Sequence, residues 1–260
     1  MKTINYLDKI GIGSSGYGSR INSRNSEIII KELFSYGINY IDTSPLYGAG
    51  EAEKIIGKTY LDRKQIILAT KFGLSFKKKN KFLQLLIPVV RLIYSFPIIN
   101  QILKNRKVSH DENPLSPIDI EKSVKSSLKH LNTNYLDILF IHNNIYHYLN
   151  DSDVLNYLNE LKNKKIIKKI GITTSLKDQK IYNLIKLNNN LIDIIQIPLS
   201  NYNYFSDLNV QINCFSAFSN GEVNNEEIFN FLENSNGRLI IFFKTQKNIQ
   251  KNLKFFNIYK

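Results

Sequence analysis

SPIDIEKSVKSSLKHLNTNYLDILFI, residues 116–141, holds one complete repeat of the architecture. Ser116 offers a side-chain oxygen to cap a helix, and Pro117 brings a backbone already set at helical φ with no N–H left over. The helical period runs to Leu131, and LDILFI then reads as a strand. The same alternation extends both ways along the chain. Strand-like runs fall at 7–12, 38–43, 65–71, 136–141, 169–173, 192–198, 210–215 and 238–243. Helical patterns lie between most of them, at 26–36, 117–131, 153–163, 176–187, 225–233 and 248–256. The connection over 200–209 is too short and aromatic for a full helix. Eight strands with intervening helices predict an α/β fold, a (β/α)8 TIM barrel. The competing open doubly wound sheet needs a glycine-rich turn leading straight into a helix. Gly11, Gly13 and Gly16 have that spacing, but no helical run follows directly.

One stretch breaks the rhythm. Residues 74–116 form an insertion after the third strand, basic at both ends and apolar in the middle. Arg91, Pro88 and Pro97 argue against a membrane span, which wants about 20 uninterrupted apolar residues. The expectation is an apolar helical excursion within a single barrel domain over 1–260. Peripheral contact with a membrane or partner protein is the competing use of so apolar a surface.

The chain has 260 residues, 43% hydrophobic and 22% charged, an ordinary globular composition that excludes disorder. One cysteine, Cys214, excludes an intramolecular disulfide and fits a core position. His110, His130 and His147 show no ligand spacing, so no metal is expected. The net charge of +13 is spread through a Lys- and Asn-rich chain without any nucleic-acid-binding motif, and no nucleic-acid partner is expected. MKTINYLDKIGIG carries no basic-then-apolar leader, which makes the cytoplasm the expected compartment. A monomer is the default state, against which the apolar insertion stands.

Four polar residues fall at the C-terminal ends of successive strands, where barrel enzymes build their sites: Asp42 and Tyr47, Lys71, and His142. The set suits proton donation to a carbonyl. A tyrosine is a weak acid near neutrality. A neighbouring ammonium lowers its pKa, a carboxylate holds the ammonium in place, and a histidine orients the substrate oxygen.

GINYIDTSPLYGAGEAEKIIGK (37–58), IILATKFG (66–73) and SLKHLNTNYLDILFIH (127–142) resemble the aspartate–tyrosine, lysine and histidine segments of the aldo-keto reductase superfamily. KKIGITTS, IIQIP and INCFSAFSNG are similar to its fifth, sixth and seventh strands, so the resemblance covers nearly the whole chain. The insertion and a shortened C-terminal third match loosely, as in short bacterial members. The resemblance implies an NADP-dependent oxidoreductase that reduces an aldehyde or ketone, sugar-derived compounds included, with NAD(H) the less favoured cofactor. Tyr47 is implied as general acid, Lys71 and Asp42 as its modulators, and His142 as the residue orienting a small-molecule carbonyl substrate. Thr173 and Gln196 are implied to hold the nicotinamide carboxamide. Thr174 stands where the family usually has asparagine, and Phe215 where it has a tyrosine under the ring. Ser216 matches a pyrophosphate contact. Lys244, Thr245 and Asn252, with Lys247, resemble the segment that grips the adenosine phosphate. A reading from another class, a cofactor-binding regulatory or scaffold subunit that docks through the insertion, stands beside the enzyme.

Overall fold

A computed structural model describes residues 6–59, 61–73, 75–76, 110–111, 115–142, 145–218 and 223–256. Strands occupy all eight expected places: β1 Ile10–Gly13, β2 Tyr40–Asp42, β3 Ile67–Phe72, β4 Leu136–His142, β5 Ile167–Thr173, β6 Ile194–Pro198, β7 Gln211–Phe215 and β8 Leu239–Ile241. They close in the order β1-β8-β7-β6-β5-β4-β3-β2, every neighbour parallel. This is a (β/α)8 TIM barrel.

The helices are α1 Ser23–Ser35, α2 Glu51–Lys58, α3 Pro117–His130, α4 Ser152–Asn163, α5 Gln179–Leu187, α6 Asn225–Asn234 and α7 Gln246–Phe255. A five-residue helix, Ile145–Leu149, and single turns at Tyr47–Gly50 and Tyr202–Phe205 complete the connections used here. Polar side chains decide where the helices start. Asn22, Ser116, Asp151, Asp178, Asn224 and Thr245 each accept from the first-turn backbone, and Asn224 with Glu227 closes a reciprocal capping box. These caps move α1 and α7 two or three residues earlier than apolar spacing places them. α2 has no counterpart among the expected helices.

Two apolar layers hold the barrel. The larger lies between strands and helices, and the smaller fills the inside with Tyr40, Ala69, Ile138, Phe140, Ile194 and Ile240. Glycine makes room for the large members of that inner layer. A Cβ at Gly171 would lie 2.4 Å from the Phe140 ring, and one at Gly11 would lie 2.7 Å from Tyr40. Cys214 is buried in β7, and its thiol is pushed well up by that burial.

The chain divides into two compact units, Met1–Gly73 with Pro114–Lys260, and Leu74–Asn113. In the second, Ser75–Phe76 pairs antiparallel with His110–Asp111. The helical character expected of the insertion lies outside the described residues. Among the described residues, no helix is long and apolar enough to cross a membrane.

Candidate active site

Strand register assembles one side of the site. His142 pairs beside Thr173, and Thr173 beside Gln196, so the ends of β4, β5 and β6 present one polar rung. Asp42 ends β2 and Lys71 lies near the end of β3. Both are buried, with side chains 4% and 2% exposed, and Lys71 Nζ donates to Asp42 Oδ1 at 2.5 Å and to the Thr43 carbonyl at 2.9 Å. Gln196 adds a side-chain hydrogen bond to Asp42. Tyr47 follows β2 in a turn whose next three residues, Gly48, Ala49 and Gly50, all have left-handed backbone. Its ring centre stands 5.1 Å from Lys71 Nζ.

Electrostatics here are a contest between burial and pairing. Burial raises the Asp42 carboxyl above its ordinary value, and the Lys71 charge recovers only part of the shift. Burial works against the Lys71 ammonium, yet Asp42 and Tyr47 together outweigh it and leave its pKa raised. Burial also raises Tyr47. Lys71 pulls it back through charge and a hydrogen bond, and Asp42 pushes it further up. The ammonium therefore lowers the phenol as expected, but the net direction is upward because water is excluded.

All of these groups line one cavity of about 1050 Å³. Asp42, Tyr47, Lys71, His142, Thr173, Thr174, Gln196, Phe215, Ser216 and Asn252 are on its wall. Lys244 and Thr245 are not. Lys244 and Lys247 are exposed, and the Thr245 hydroxyl is spent on the α7 cap, 3.2 Å from the Asn248 N–H. Thr174 is similarly engaged, accepting from the Leu176 N–H at 3.1 Å. Ser216 adopts left-handed backbone (φ 61°) directly after β7.

Several wall residues were not singled out in the sequence. Asn248 and Lys251, inside the 243–252 segment that resembles the phosphate grip, and Phe255 beyond it join Asn252 on one face of α7, a spacing of three, one and three that helical periodicity could have exposed. Arg20 and Phe242 come from opposite ends of the chain and meet only because β8 closes against β1. Glu53 lies outside the cavity but bears on its geometry. Its carboxylate, 1% exposed on α2, accepts from Thr70 Oγ1 at 2.7 Å and sits 3.4 Å from His130 Nδ1.

A pyridine dinucleotide fits what this wall offers. Gln196 Oε1 is buried and has no hydrogen-bond partner among the described residues, an acceptor of the kind a carboxamide N–H satisfies. Phe215 presents an aromatic group on the same wall, and Ser216, Asn248, Lys251 and Asn252 supply donors toward α7. Among the described residues, no cluster of three His, Cys, Asp or Glu side chains could hold a metal.

The family model for the aldo/keto reductase family matches residues 9–258. The chain belongs to that family. An uncharacterized oxidoreductase of Bacillus subtilis, YqkF, is 27% identical over 197 residues, covering 74% of this chain and 53% of that protein. The NADH-specific methylglyoxal reductase of Escherichia coli is 30% identical over 146 residues, covering 55% of this chain and 39% of that protein. This aldo/keto reductase family member thus spans between a third and about half the length of the first curated relatives it matches. Among solved structures, an aldo-keto reductase from Klebsiella pneumoniae in complex with NADPH superposes with a TM-score of 0.64 at 15% identity, covering 97% of this chain and 86% of that one. That likeness supports the fold.

Proposed function

We propose that this protein is an NADP(H)-dependent oxidoreductase that reduces an aldehyde or ketone to the alcohol, with Tyr47 as general acid. The observation that carries the reading is the buried Asp42–Lys71 pair beside Tyr47, on the same wall as the unsatisfied Gln196 Oε1. Bound along that wall, the dinucleotide would supply the hydride. Gln196 and Thr173 would hold its carboxamide, Phe215 would stack on the ring, and Ser216, Asn248, Lys251 and Asn252 would hold its phosphate-bearing end. Lys251 takes the role first given to Lys244 and Lys247, because it is the lysine of α7 that reaches the cavity.

The protein's own contribution is control of one proton. Tyr47 O–H donates to the carbonyl oxygen and gives up its proton as the oxygen becomes an alcohol. Lys71 stabilises the phenolate left behind, and Asp42 keeps Lys71 charged and fixed. His142, at the end of β4, orients the same oxygen. Burial keeps water from competing for it and strengthens each of these interactions.

Titration with NADPH and separately with NADH, followed by nicotinamide fluorescence, tests the cofactor site. Tyr47→Phe, assayed on a small aldehyde, tests the chemistry. The expected result is dinucleotide binding, tighter for NADPH, with turnover lost by about a hundredfold or more in the variant, the usual worth of a positioned acid. Full turnover by Tyr47→Phe overturns the mechanism. Binding of neither dinucleotide overturns the function.

A further inference from the structure

We infer that Arg20 forms a preorganised seat for an anionic group, a phosphate or carboxylate, on the β1 side of the cavity mouth. Among the described residues, the cavity wall carries one acidic residue, Asp42, and it is already paired with Lys71. Arg20 and Lys251 are the other two cations on that wall, and neither pairs with a carboxylate among the described residues. The cavity therefore presents uncompensated positive charge to whatever enters, and it attracts anions.

Arg20 is held as a recognition group is held. Its guanidinium carbon lies 4.9 Å above the centre of the Phe242 ring, and Nη2 donates to Ser15 Oγ at 3.3 Å. Its backbone N–H donates to the Gly16 carbonyl at 2.9 Å, closing the turn that carries it. Gly16 makes the stack possible, since a Cβ there would lie 2.3 Å from the Phe242 ring and 3.2 Å from Arg20 Nε. A guanidinium has five N–H donors in a rigid fork, and the one hydrogen bond to Ser15 leaves most of them for a ligand. Stacking fixes the plane of the fork in advance, so less rotamer freedom is lost when a two-oxygen anion docks.

Two sources carry such a group: the diphosphate of a bound dinucleotide, and a carbonyl substrate bearing its own phosphate or carboxylate. The β1 turn packs against the turn that follows Tyr47, where a Cβ at Gly18 would lie 2.6 Å from Glu51 Cβ. That sets the turn carrying Arg20 beside the Tyr47 turn, while its stacking partner Phe242 lies between β8 and α7. The substrate source rests on the reductase reading above; the seat itself does not.

Arg20→Gln is compared with the parent and with Arg20→Lys, which keeps the charge but not the fork. Calorimetry with inorganic pyrophosphate probes the seat independently of any reaction. The expected result is parent binding that weakens by roughly ten- to a hundredfold in Arg20→Gln, the worth of one charge-assisted contact, with Arg20→Lys between. Dinucleotide affinities by fluorescence, and the ratio of kcat/KM for glyceraldehyde 3-phosphate to that for glyceraldehyde, then identify the source. A fall in dinucleotide affinity assigns the seat to the cofactor diphosphate. A fall of tenfold or more in the substrate ratio assigns it to an acidic carbonyl compound. If pyrophosphate binding, dinucleotide affinity and the substrate ratio all match the parent, the inference is wrong. A parent that binds pyrophosphate through Arg20 but reduces no carbonyl would sink the reductase reading and leave the seat standing.

Discussion

Replacing Lys71 by methionine strips the counter-charge from Asp42 and leaves the side chain's bulk nearly intact. Both partners are almost fully enclosed, at 2% and 4% side-chain exposure, and among the described residues the carboxylate would keep only Gln196 as a side-chain hydrogen-bonding neighbour. Removing one member of a buried ion pair costs about 3–5 kcal/mol, because the other charge stays desolvated and uncompensated. For a chain of this size, roughly 2–4 °C of melting temperature accompany each kcal/mol, so Lys71→Met should melt about 6–20 °C below the parent at pH 8. Acid should narrow the gap. Without Lys71, only the Gln196 hydrogen bond opposes the burial that already raises the Asp42 carboxyl, so the folded variant holds a proton that the unfolded chain releases. A raised folded-state pKa gives stability that is present at low pH and lost as pH rises through it. The Asp42→Leu/Lys71→Met double variant, apolar throughout, should return to within about 1 kcal/mol of the parent, as buried ion pairs replaced by hydrophobes often do. Thermal melts from pH 5 to pH 8 read both variants against the parent. A Lys71→Met protein within 1 kcal/mol of the parent, or a deficit that ignores pH, would refute the view that Asp42 and Lys71 hold each other charged inside the wall.

Two further outcomes follow from geometry already described. Because burial sets Tyr47 above its ordinary 10.0, carbonyl reduction should hold level from neutrality to about pH 9, while alcohol oxidation, which needs the phenolate, climbs over the same range. A reduction rate that already falls between pH 7 and 9 would contradict this. Gly171→Ala pushes a methyl into the Phe140 ring inside the barrel and should cost about 1–3 kcal/mol in urea unfolding; a neutral result would mean the inner layer has slack.

The barrel was readable because its signal is repeated. Eight short apolar runs separated by helical periods leave little else to build, and the strand ends then put His142, Thr173 and Gln196 on one rung without any knowledge of contacts. What escaped was of four kinds. α2 is only eight residues long, and its start depends on a left-handed Gly50 that apolar spacing does not reveal. Thr245 is read from the sequence only as a ligand contact, and its part in capping α7 shows only in the helix backbone. Arg20 and Phe242 are more than two hundred residues apart and become neighbours through the closure of β8 on β1. The sign of the Tyr47 shift was hidden for a different reason. Charge neighbours can be read along a chain, but depth of burial belongs to the folded wall.

The Glu53 contacts say where the precision of this wall is kept. Thr70 precedes Lys71 on β3, and Glu53 belongs to the helix that the Tyr47 turn leads into, so the 2.7 Å bond between them clamps the two supports together on the outer side of the strands. The spacing between phenol and ammonium is therefore governed from behind, by residues that do not line the cavity. Loops over the mouth can lengthen, shrink or be exchanged while that hidden clamp stays as it is. A lineage could in this way revise what the protein accepts without recalibrating the instrument that handles it.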